Sequence, residues 1–222
     1  MRLKTLGIWF AISLVAGCAG TTDPIKIAAQ QKEGSAQIAA RKQQKGSLLL
    51  VRIIESGLFG TVHCGGLITL RKLNAGRPDE TERPINFSGA VPYNPPNRNK
   101  LYISNIFPVS PKDYATEFVP IAPGRYAITH VACSTGEIEL EAGDDKRGIF
   151  GGEPTHISAL GGESTITIGE NQIVDAGYIE VSGMRRDAAR VTATEATPAE
   201  RDLMKRVIPD VYPSITFTKF GS

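Results

Sequence analysis

The chain has no apolar run of the ~20 residues that a membrane-spanning helix requires. Its longest apolar stretch, Leu6–Ala16, has 11 residues and as a helix would span about 17 Å of a ~30 Å hydrocarbon core. Tryptophan is nearly absent: Trp9 is the single one, and aromatics make up 7% of the chain. Histidines number three. The hydrolase elbow G-x-S-x-G, the zinc motif H-E-x-x-H, the S-x-x-K pair and the phosphate-binding loop are all missing, which removes the familiar catalytic frames and implies no cofactor. A charge of one sign is also lacking. The net charge is +2, but Arg2 and Lys4 supply the excess, and the chain after residue 17 carries 23 basic and 23 acidic side chains. A nucleic-acid partner calls for a basic stripe, and this balance argues against one.

What is present is a globular composition, 41% apolar and 22% charged over 222 residues, with 23 Gly and 14 Pro. This suits one domain plus a tether, built from many short strands joined by turns. Residues 19–46 are rich in Ala, Gln and Lys and carry no aromatic. They read as a polar tether, partly helical from Ile25 to Lys45, with only a weak apolar stripe. From Ser47 the pattern changes to strands at 48–54, 62–73, 100–106, 117–121, 122–133, 137–141, 164–168 and 177–183, separated by Gly-rich turns. Regular spacing of this kind predicts a mainly-β fold, an antiparallel sandwich. "TPAE" sets Thr197 at the N-cap of a C-terminal helix, Pro198 at its first position and Glu200 at its third, a capping box. Leu203, Met204, Val207 and Ile208 form its apolar face, Pro209 stops it, and 214–220 reads as a last strand. The span 72–99, with Tyr93 beside "NPPN", breaks the strand rhythm and is a candidate recognition loop.

The N-terminus combines "MRLK", the apolar run and Leu14-Val15-Ala16-Gly17-Cys18. Small residues at Ala16, Gly17 and Ala19 fit an ordinary secretory cleavage. The five residues Leu14–Cys18 also resemble the lipobox of bacterial lipoproteins. That resemblance implies a signal peptide over 1–17, a lipidated N-terminus and tether over 18–46, and a folded domain over 47–222. It further implies a diacylglyceryl group on Cys18. Ala19, rather than Asp, after the cysteine implies an outer-membrane destination facing the periplasm, anchored stably because two or three acyl chains succeed where one is marginal.

"IAPGRYAITHVAC" (121–133) and "GENQIVDAGYIEV" (169–181) resemble a group of bacterial lipoproteins in which a P-G-x-Y turn opens a strand of a transthyretin- or immunoglobulin-like β-sandwich. Gly124 supplies the turn's freedom in φ, and Tyr126 and Ile128 share the next strand's inner face. The resemblance implies a fold and carries no catalytic residue.

If lipid takes Cys18, Cys64 and Cys133 remain as a pair. Cys64 shares a strand face with Val62 and Ile68, and Cys133 one with Ala127 and Val131. A disulfide, two buried thiols and a metal site are the alternatives. His63 and His130 lie near these cysteines, but strand alternation aims each away from its cysteine, so no metal is expected there. Glu137, Glu139 and Glu141 share one face of an edge strand, with Asp144 and Asp145 beyond. Arg185, Arg186 and Arg190 form a small basic cluster. Both groups read as solvated surface. The chain is therefore expected to act as a non-catalytic binding or scaffolding lipoprotein, joined to the membrane by its N-terminal lipid and partnered by an envelope protein or cell-wall component. A lipid-anchored hydrolase and a small-ligand or cation binder are the alternatives.

Overall fold

A computed structural model describes residues 24–57, 60–88, 111–134, 139–143, 157–162, 164–183 and 189–222. The signal peptide and Cys18 lie outside these residues. So do the expected strand 100–106, residues 89–99 of the candidate loop with Tyr93, Glu137, Asp144, Asp145, Arg185 and Arg186; the described part of the span 72–99 holds two short strands, Arg77–Pro78 and Ile85–Ser88.

The protein is a mainly-β sandwich of two curled sheets with helices on one outer face. The first sheet runs β11 (Arg190–Thr194), β10 (Ile173–Ser182), β1 (Ser47–Gly57) and β2 (Gly60–His63), with β6 (Val119–Ile121) beside β1 and β12 (Ile215–Phe217) beside β10. The second runs β4 (Arg77–Pro78), β3 (Gly65–Asn74), β7 (Gly124–Ser134) and β8 (Glu139–Gly143), with β5 (Ile85–Ser88) on β3 and β9 (Thr165–Ile168) on β7. The sheets face each other across one apolar core. Leu49, Val51 and Ile53 of β1 and Val174, Ile179 and Val181 of β10 meet Ile68, Leu70, Tyr126, Ile128, Val131 and Leu140 of the second sheet.

The second sheet is antiparallel throughout its described pairings, as the turn-rich sequence predicts. The first is mixed, so the sandwich is mainly rather than wholly antiparallel: β1 lies parallel to β10, and β10 parallel to β12. The helix α3 (Pro198–Val207) supplies the crossover that the parallel β10–β12 pair requires.

The P-G-x-Y turn has a local cause. Tyr126 is 2% exposed, and its hydroxyl donates to the carbonyl of Ala122 at 2.8 Å, so the ring is buried without orphaning its polar end. Three residues on, the register of β7 against β3 slips between Thr69 and Leu70. Thr129 is the extra residue, and such a bulge reverses the alternation. Cys133 and Val131 therefore share the core with Tyr126 and Ile128, not with Ala127 as strict alternation predicts.

The polar segment read as a tether is a seated helix. Helix α1 spans Pro24–Lys45. Ile38 is 1% exposed, packed in a second core with Leu48, Leu50, Tyr114, Phe118, Met204 and Ile208. Burying that side chain is worth about 2 kcal/mol. Two polar contacts assist it: the Arg41 guanidinium donates to the Phe118 carbonyl at 2.9 Å, and the Gln31 amide to the Arg206 carbonyl at 2.7 Å. The short helix α2 (Pro111–Glu117) precedes β6 and places Tyr114, Ala115 and Phe118 in the same layer. Glu117, expected in a strand, instead ends this helix.

Helix α3 keeps its expected cap. The Thr197 side chain accepts from the Glu200 N–H, and the Glu200 carboxylate accepts from the Thr197 N–H at 2.9 Å. Met204, Val207 and Ile208 face inward. The last expected strand shortens to Ile215–Phe217, preceded by a 3-10 turn at Tyr212–Ser214.

Candidate functional site: a buried charge cluster beneath the helices

The strongest concentration of chemistry lies on the outer face of the first sheet, where α2 and α3 cover it. Strand alternation turns Leu48, Leu50 and Arg52 outward along β1, and Ile173 and Asp175 outward along β10. The leucines and Ile173 sit under the helices in the second core. Arg52 and Asp175 continue the same rows, so they too are roofed over: their side chains are 9% and 0% exposed.

A bulge in β10 aims the aspartate. Leu50 pairs with Asp175 but Arg52 with Tyr178, so β10 spends one additional residue there. Gly177 takes φ +67, and a Cβ on it would lie 2.1 Å from the Thr194 carbonyl oxygen. Only glycine fits this left-handed, crowded position. Its N–H donates to Asp175 Oδ1 at 2.9 Å. The bulge thereby supplies a backbone donor to the buried carboxylate.

Arg52 and Asp175 form a two-pronged pair, Nη1 to Oδ1 at 2.9 Å and Nη2 to Oδ2 at 3.2 Å. Nη2 also donates to the Tyr114 hydroxyl at 3.1 Å. The guanidinium carbon lies 5.4 Å from the centre of the Tyr178 ring, a favourable cation–π distance. Glu200 Oε1, at 3.9 Å from Arg52 Nε, joins from α3. One cation thus ties β1, β10, α2 and α3 together, and the α3 capping glutamate is part of the cluster.

The electrostatics follow from burial. Desolvation opposes the Arg52 charge, but Tyr114, Asp175 and Glu200 more than offset it, so the guanidinium holds its proton more tightly than usual. Burial pushes the Tyr114 phenol up to about 12, against an opposing pull from Arg52. Burial also raises the Glu200 carboxyl from its ordinary value, with Arg52 and the Thr197 N–H pulling the other way. The group is a closed arrangement. Its hydrogen bonds run mostly between its own members, and a substrate atom would have to displace one of them.

The cysteines expected to pair do so: Cys64 and Cys133 form a disulfide, Sγ–Sγ 2.06 Å, 0% and 1% exposed. It bridges the ends of β3 and β7 inside the sandwich. His130 points to the opposite face of β7 and meets Glu141 of β8, Nε2 to Oε1 at 3.4 Å. Glu141 therefore stands 13% exposed beside a histidine rather than on a solvated edge. Arg190 is exposed at the start of β11. Among the described residues, no three His, Cys, Asp or Glu side chains converge as a metal site.

The Arg52–Asp175 pair was not singled out by sequence reasoning, although a signal existed. "LLLVRII" and "QIVDAGY" each place one charge inside an otherwise apolar strand, and the two charges are opposite. A lone charge in such a run must be paired or expelled. No protein-family model matches the chain, and no match is found among curated proteins or solved structures. The functional reading therefore rests on this chain's own residues.

Proposed function

We propose that the chain is an envelope lipoprotein, anchored through Cys18 to the outer membrane and facing the periplasm, that acts as a non-catalytic binding or scaffolding module for an envelope protein or cell-wall component. The observation that carries this reading is Leu14–Cys18, preceded by a basic start and an apolar run too short to span a bilayer. The buried Cys64–Cys133 disulfide supports it, since such bonds persist in oxidising compartments. The closed Arg52 cluster favours a structural over a catalytic role for the protein's most concentrated charges.

The test substitutes Cys18→Ser in the full chain and follows processing and membrane fractionation. The expected outcome is an uncleaved precursor without lipid. Normal cleavage and membrane retention of that variant would overturn the anchor. Crosslinking in intact cells then reads the module itself: a reproducible adduct is expected, and recovery of only abundant neighbours counts against a defined partner.

A further inference from the structure

The helix that seats on the sandwich also overhangs it. Residues 24–30 of α1 are all exposed, and Gly34 and Ile38 are the helix's buried residues. At 1.5 Å per residue the first seven residues project about 10 Å beyond the point where Gln31 reaches the Arg206 carbonyl. Among the described residues, the exposed large hydrophobic side chains are Ile25, at 79%, and Ile27, at 36%. Both are on this projecting end. Between Pro24 and Lys32 the charged residues are Lys26 and Lys32, and the first acid of the helix is Glu33.

The placement of the two isoleucines constrains what covers them. Residues two apart lie about 200° apart around a helix, so a flat surface running alongside meets one and misses the other. A surface that meets the end of the helix meets both. The chain itself indicates which surface that is. Five residues separate Cys18 from Pro24, so the two Cα atoms are at most ~21 Å apart.

We infer that the first two turns of α1 insert end-on into the lipid headgroup region, with Ile25 and Ile27 reaching the acyl boundary. This rests on the anchoring of Cys18 proposed above. Lys26 and Lys32 lay their methylene stems along the apolar side chains and carry their ammonium groups to headgroup phosphates. The helix is then a rigid post rather than a flexible leash. It holds the sandwich at a fixed distance and orientation, with the turn at Glu170, which adjoins Ser47 at the far end of α1, about 33 Å from the membrane-facing end.

The single Trp of the chain, Trp9, precedes Cys18, so Ile25→Trp gives the processed protein one indole at the position of interest. Glu170→Trp, at the exposed distal turn, is the control. Each full chain is purified from membranes, its Cys18 acylation established by mass, and reconstituted in phosphatidylethanolamine–phosphatidylglycerol vesicles with or without brominated acyl chains. The expected result is a blue-shifted indole emission that bromolipid quenches for Ile25→Trp, and a water-like, unquenched emission for Glu170→Trp. An acylated Ile25→Trp chain whose emission stays water-like overturns the inference and leaves the anchor standing. A blue shift that grows with protein density but ignores bromolipid assigns the helix end to a second copy and likewise overturns it. A mass spectrum showing unmodified Cys18 overturns the anchor and this inference together.

Discussion

Replacing Asp175 should be among the most damaging single changes to this fold. The carboxylate is fully buried, accepts from Arg52 at 2.9 and 3.2 Å and from the Gly177 N–H at 2.9 Å. Asp175→Asn keeps one oxygen for Gly177 but leaves the Arg52 guanidinium, itself 9% exposed, as a buried charge opposed only by the more distant Glu200, 3.9 Å from its Nε. Breaking a buried pair from one side costs about 3–5 kcal/mol, because the survivor's desolvation is no longer offset. Arg52→Met strands the carboxylate in the same way and should cost a similar amount. The double variant Arg52→Met/Asp175→Asn removes both charges and with them the mutual penalty, so it should be far milder than the sum of the singles, with a coupling of about 3 kcal/mol. Urea unfolding of the oxidised protein, followed by circular dichroism, measures all four corners of the cycle. Single variants that each cost under about 1 kcal/mol, or a double equal to their sum, would refute the view that this pair is desolvated and mutually dependent.

Two further outcomes are expected. Tyr114 has a phenol pKa raised from 10.0 to about 12, so the folded state holds its proton more tightly than the unfolded state. The stability linked to it is complete below pH 10.0 and is lost as pH rises toward about 12, an amount on the order of a few kcal/mol. Tyr114→Phe should flatten that part of the alkaline stability profile, and an unchanged slope would count against burial of the hydroxyl. The double substitution Cys64→Ser/Cys133→Ser opens a loop of sequence separation 69 and should lower stability by roughly 4 kcal/mol in the chain-entropy model. A midpoint that does not move would show that the bond constrains little.

Much of the fold was legible because it depends on local chemistry. Thr197, Pro198 and Glu200 cap α3 through contacts within one turn. The strands of the inner core announce themselves by alternation, as Leu140 does between Glu139 and Glu141. The position of α1 was not legible. Its apolar stripe is thin, and side-chain hydrogen bonds from Arg41 and Gln31 to distant carbonyls help to dock it, a signal that no periodicity carries. The bulge at Thr129 was hidden for a related reason. Its parity change comes from a slip between two strands, and one strand's sequence does not record the register of its neighbour.

The sequence by itself determined most of the long strands, the capping box, the P-G-x-Y turn and the pattern at Leu14–Cys18, all of which are written in residues close along the chain; α2 and the short strands β4 and β5 were not among them. Only the tertiary structure decided that β1 and β10 run parallel, and so that Arg52 and Asp175, 123 residues apart, share one buried face under Tyr114 and Glu200. Periodicity says which way a side chain points from its own strand. The partner it meets there depends on strand order, and strand order is set by how the whole chain buries its apolar faces.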